Sequence, residues 1–64
     1  MSTEYGWVIE KYLHSALYYW TGDPKNPWQT DNLKALRFAR RTDAERMQSW
    51  HCDGEGRVAE HGWG

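Results

Sequence analysis

Three histidines, one cysteine and nine carboxylates are the groups in this 64-residue chain from which chemistry would have to be built. The densest grouping is His51-Cys52-Asp53, with His61 a short way downstream. A zinc site needs spacing that lets ligands converge, such as C-x2-C or H-x3-H. Adjacent His51 and Cys52 point in different directions and His14 is remote, so these read as rim residues and neither a metal nor a cofactor is expected. Cys52 with His51 or His61 is also the raw material of a nucleophile and its base. No signature surrounds that pair, however, and so thin a domain offers no deep cleft for a small-molecule substrate. Gly54-x-Gly56 is too short for a phosphate loop and does not open a helix. Glu10 with Glu60 is one chance pairing among the nine carboxylates. The chain is therefore not expected to be an enzyme.

Two other patterns carry more information. Ten residues are aromatic: Tyr5, Trp7, Tyr12, Tyr18, Tyr19, Trp20, Trp28, Phe38, Trp50 and Trp63. A core this small cannot enclose so many large rings, and surplus Tyr and Trp give binding surfaces large contact area at low entropic cost. The bland alternative is that the rings extend a thin core by half-burying at its rim. The second pattern is charge. The net charge is −1, yet residues 34–48 carry five cations (Lys34, Arg37, Arg40, Arg41, Arg46) against Asp43 and Glu45, between two segments of net −2. Basic groups near rings suit nucleic acid, but Asp43 and Glu45 stand beside the arginines, and a solvated, partly self-paired face explains them as well.

These side chains have to be positioned by a single domain spanning residues 1–64. A chain of this length buries only about 60% of its unfolded surface. One cysteine, Cys52, excludes an internal disulfide and suits a reducing cytosol. The start, MSTEYGWVIEKY, lacks the basic and apolar regions of a signal peptide, and no apolar run approaches the roughly 20 residues of a membrane span. A soluble, cytoplasmic protein is expected.

The segment Ala35–Trp50, ALRFARRTDAERMQSW, sets the expected architecture. Leu36 and Phe38 alternate as in a half-buried strand over 35–39. Thr42-Asp43-Ala44-Glu45 is then a T-x-x-E capping box opening a helix, with Ala44, Met47 and Trp50 or His51 along its inner side. Upstream, 5–12 and 16–20 read as strands of a hairpin joined through Leu13-His14-Ser15. Thr21–Pro27 (TGDPKNP) is turn chemistry bracketed by Trp20 and Trp28, and Thr30 or Asp31 caps a single helical turn. Met47 and Cys52 are expected to pack at the core and the helix end. Asp53-Gly54-Glu55-Gly56 ends the helix, and 57–63 is a last strand with Val58 inward. The fold class is α+β: a small antiparallel sheet in β-β-β-α-β order, with one short helix on one face and the other face partly wet.

The layout resembles small proteins common in phages and prophages. The residues that carry the likeness are Trp7-Val8-Ile9-Glu10, Tyr19-Trp20-Thr21-Gly22, Trp28-Gln29-Thr30, Lys34-Ala35-Leu36-Arg37-Phe38, Asp43-Ala44-Glu45 and the closing Arg57 to Trp63. Among compact phage proteins of this size, the resemblance extends to anti-CRISPR inhibitors. It implies a stoichiometric inhibitor in the cytoplasm of a bacterial host, occluding the DNA-contacting surface of a CRISPR surveillance complex. Acidic groups often stand in for phosphates in that group, as DNA mimics.

On that reading Trp28 and Tyr18 are the anchors, and Glu10, Asp23 and Asp31 are acidic contacts to basic residues of the partner. The alternative is a DNA- or RNA-binding accessory protein using Lys34, Arg37, Arg40 and Arg41. A third is a structural or dimerising module, the chain being a monomer or weak dimer.

Overall fold

The computed structural model of the protein describes residues 4–52 and 55–63. The first strand, β1, runs over Glu4–Leu13, and β2 over Ala16–Trp20. Both are rich in the aromatic and β-branched residues that fit a pleated, half-buried surface. They join as a hairpin through His14 and Ser15, at φ 51 and 67. Positive φ at both central residues matches the twist of the flanking strands and sets Leu13 opposite Ala16.

The Thr21–Pro27 loop does fold back on itself. The Thr21 amide donates to Pro27 O (2.8 Å), the Lys25 amide donates to Asp23 Oδ1 (2.9 Å), and the Asp23 amide donates to Thr21 Oγ1 (3.1 Å). The returning chain forms β3, Trp28–Gln29, which pairs with the end of β2 and brings Trp28 opposite Trp20. Asp31 then caps a 3-10 turn, Asn32–Lys34, by accepting from the Leu33 amide at 2.9 Å.

The third strand is therefore not the expected 35–39 segment. Alternation at Leu36 and Phe38 is real, but this stretch makes one bond to the end of β2 (Leu36 N to Trp20 O, 2.9 Å) and one bridge to β1. In that bridge Phe38 and Trp7 exchange amide bonds of 2.8 Å each. β2 pairs with β1 only from Glu10 onward, so the segment fills the vacated edge beside Trp7 and crosses from one sheet face to the other. A crossing chain cannot sustain a ladder.

The helix α1 spans Arg41–His51, and β4, Arg57–Trp63, closes a sheet of order β3-β2-β1-β4. The expected capping box is absent. Arg40 is the N-cap without a side-chain bond, which puts Thr42 inside the first turn; Glu45 pairs instead with Arg41 at 3.1 Å. Ala44 and Cys52 are buried and Met47 is half-buried, as expected, but Trp50 and His51 point outward. The helix ends at Cys52, which takes the inner position given to those two, its amide reaching Gln48 O at 3.2 Å.

Antiparallel pairing puts Trp7, Ile9, Trp20, Trp28 and Val58 on the helix side, where they pack with Phe38 around Ile9, Ala44 and Cys52. The other face is partly wet, as expected: Val8, Tyr19 and Ala35 form a second buried cluster there with Leu17, while Tyr12 on the same face is 69% exposed. Asn32 Nδ2 lies 3.3 Å from His61 Nε2, whose ring meets Tyr19 edge-on at 5.9 Å. The domain is α+β in the expected class, with the helix over one face of the sheet and Ala35 packed on the other.

Candidate partner-binding surface

Two small clusters cannot take in the rings. Of the nine aromatic side chains described, Tyr19 alone is buried, five are half-buried (Trp7, Tyr18, Trp20, Trp28, Phe38) and three are exposed. The exposed ones are Tyr5 (69%), Tyr12 (69%) and Trp50 (71%), joined by Leu33 (70%) and Leu13 (46%). Trp63 was also counted from the sequence, and its ring lies outside the described side chains.

Two of the exposed rings have a local cause. Tyr12 and Leu13 stand on β1 beyond Glu10, the last residue that β4 pairs with, so nothing in the sheet flanks them on that edge. Beside Tyr12 lies an open groove of about 230 Å³ lined by Glu10, Lys11, Gly56 and Arg57. Trp50 lies on the outer side of α1 in a second open groove of about 340 Å³, with Thr42, Glu45, Arg46 and Ser49. Both are shallow depressions at or below the small end of ligand pockets, of the kind that seat a protruding side chain. Sequence periodicity missed Trp50 because it lies next to the inner stripe on the helical wheel. The usable signal was that the sixteen-residue segment has a single tryptophan with no aromatic neighbour at helical spacing.

The residues singled out as anchors and acidic contacts are dispersed. Trp28 is half-buried, edge-on to Trp20 at 5.4 Å, with Lys11 Nζ 4.2 Å above its ring. Tyr18 is half-buried on the same face. Glu10 is 7% exposed and its Oε1 accepts from Arg57 Nε (3.0 Å) and Nη2 (2.9 Å), so its carboxylate is held inside the fold. Asp23 and Asp31 are exposed, each with Oδ1 capping a turn amide. Burial, and then the neighbouring charges of Glu10 and Tyr12, push the Tyr19 hydroxyl above its ordinary 10.0.

The cations are not one patch either. Lys34, Arg37 and Arg40 are exposed. Arg41 is committed, ion-paired to Glu45 and lying 5.6 Å over the Trp7 ring. Lys11 pairs with Glu55 at 3.0 Å.

Among the described residues no group of three or more His, Cys, Asp or Glu is placed to hold a metal ion; Asp53, part of the densest sequence cluster, lies outside them. Also among the described residues, no helix is long and apolar enough to cross a membrane. No family model matches the sequence, and neither a curated protein nor a solved structure matches it.

Proposed function

We propose that this protein is a binding module that acts by occupying the surface of another macromolecule. In the form suggested by its phage-like layout, it is a small inhibitor that docks on a host protein or nucleoprotein complex. A CRISPR surveillance complex blocked from its DNA is the specific case. The observation that carries the reading is the set of three rings left outside, Tyr5, Tyr12 and Trp50, two of them beside open grooves. A rigid sheet presenting Tyr and Trp at low entropic cost is what occlusion requires. Trp50 and Tyr12 are the anchors that geometry favours, with the half-buried Tyr18 and Trp28 as lesser ones. Exposed Asp23 and Asp31 are available as acidic contacts, whereas Glu10 serves through Arg57.

A second reading, nucleic-acid binding, is favoured by the exposure of Lys34, Arg37 and Arg40 within seven residues of chain. One experiment separates the two. The protein is titrated into DNA-binding reactions of purified surveillance complexes, alongside gel shifts of DNA and RNA with the protein alone at low and moderate salt. Occlusion predicts stoichiometric loss of DNA binding by one of the complexes, weakened roughly 30-fold or more by Trp50→Ala or Tyr12→Ala. It predicts no shift of free nucleic acid. A steep, salt-sensitive shift lost in Lys34→Ala/Arg37→Ala, with every complex unaffected, overturns occlusion in favour of the second reading.

A further inference from the structure

β4 is an edge strand, and among the described residues nothing pairs with its outer side. Trp7 turns its amide and carbonyl away from β4, to Phe38. By alternation Gly6, Val8 and Glu10 bond to His61, Ala59 and Arg57, which leaves the amides and carbonyls of Val58, Glu60 and Gly62 facing outward. Natural edges are blunted by charged side chains, lysine above all, by proline, by a bulge or by a covering element. β4 carries Arg57 and Glu60 but no lysine or proline, and its ladder with β1 runs from Glu4 opposite Trp63 to Glu10 opposite Arg57 without a bulge.

We infer that this edge is a pairing surface for a second copy of the same chain, forming a two-fold dimer with one continuous eight-stranded sheet. Three features of the structure select a second copy as the occupant. A two-fold axis normal to the sheet at Ala59 sets Ala59 against itself, Val58 against Glu60 of the copy and Arg57 against His61 of the copy. No like carboxylates then face one another, whereas centring on Glu60 would oppose two of them.

The helix fits as well. α1 meets β4 and β1, so it lies toward the edge that the copy would join. A two-fold axis normal to the sheet keeps both helices on one face, side by side across that edge.

Lastly, the facing surfaces are complementary in charge. Gln48 Nε2 donates to the carbonyls of Glu55 and Gly56 at the start of β4, which turns the Arg41, Glu45 and Gln48 side of α1 toward that edge. Arg41 lies at the level of Trp7, opposite Glu60, so the N-terminal halves of the two antiparallel helices overlap at the axis. There the Arg41–Glu45 pair, 64% and 52% exposed at its two side chains, can exchange across the interface. Tyr12 and Trp50 are not part of this contact, although Arg57 and Glu45 also line the grooves beside them; Ala59 lines neither groove, so a crosslink there reports on the dimer apart from the docking proposal.

Sedimentation over a wide concentration range tests it, together with Ala59→Cys under mild oxidation. Opposed Cα atoms of a non-hydrogen-bonded pair lie about 4.5 Å apart, within disulfide range. The expected result is a reversible rise to twice the monomer mass, and disulfide-linked dimers with Ala59→Cys but not with Thr30→Cys or the parent. Arg41→Glu alone weakens association about three- to fivefold, and adding Glu45→Arg restores it. Glu60→Pro, which removes an outward amide, gives monomer with an unchanged circular dichroism spectrum. A chain that stays monomeric to about 1 mM, where contacts worth less than about 4 kcal/mol would fail, overturns the inference. So does a dimer that does not crosslink at residue 59.

Discussion

The two faces of the sheet are held by different devices. On one, an eleven-residue helix and five half-buried aromatic or aliphatic neighbours surround Ile9; on the other, a three-residue 3-10 turn and Ala35 sit over Val8 and Tyr19. Ile9 and Val8 are adjacent on β1 and both fully buried, yet they look into these unequal halves. The comparison shows that a chain this short spends its regular structure on one face and closes the other with an irregular crossing. If so, truncation should be felt unequally. Ile9→Ala is expected to cost about 3–4 kcal/mol, against about 2 kcal/mol for Val8→Ala, by denaturant unfolding. Since the whole domain has on the order of 3–10 kcal/mol of stability, the first loss removes roughly a third of it or more. Equal losses would break the comparison.

The next largest effect sharpens it at the point where the helix side is pinned. Gly56 has φ +79, and a Cβ there would sit 2.7 Å from Glu10 O and 3.2 Å from the Trp28 ring. Both the backbone conformation and the space exclude any larger residue. Gly56→Ala should cost about 2–4 kcal/mol in the same unfolding measurement. By contrast, a Cβ at Gly22, which shares the positive φ, meets only Leu36 at an ordinary 3.4 Å. Gly22→Ala should therefore carry the backbone penalty alone, about 1 kcal/mol.

The opposite sign is expected at the hairpin. His14 and Ser15 hold φ 51 and 67 without being glycine, at a strain of about 1–2 kcal/mol per residue. Replacing them by Asn and Gly, the pair this turn prefers, should raise the melting temperature by several degrees.

What was legible in the sequence follows the same division. The β1–β2 hairpin, the loop between Trp20 and Trp28, α1 and β4 all announce themselves through local composition and period. Ala44, Met47, Cys52 and Val58 were placed correctly because helix and strand repeats are local. The crossing at 35–38 was not legible, since its alternation is that of a strand and only the length of β2 decides that it passes through the sheet edge instead. Thr42 failed as a cap because Arg40 and Arg41 start the helix two residues early, a choice set by the Phe38–Trp7 bridge and not by the capping pattern. Glu10 looked available because a carboxylate on a strand is usually outside. Its burial comes from Arg57, forty-seven positions away and brought opposite it by β4.

The smallest expected effect belongs to the irregular face and tests whether that roof excludes water. Tyr19 is 8% exposed, and burial, with Glu10 and Tyr12 adding negative potential, raises its hydroxyl above 10.0. In the unfolded chain the phenol ionises near its ordinary value. A raised folded pKa means that the folded state holds the proton more tightly. The resulting stability is fully present below about pH 10 and is lost as pH climbs through the folded value. Thermal melts between pH 8 and 11 should therefore fall faster above pH 10 in the parent than in Tyr19→Phe, which has no proton to lose. Coincident slopes for the two proteins would mean that the 3-10 turn and Ala35 admit water to Tyr19, and that only the helix side of this sheet is a dry core.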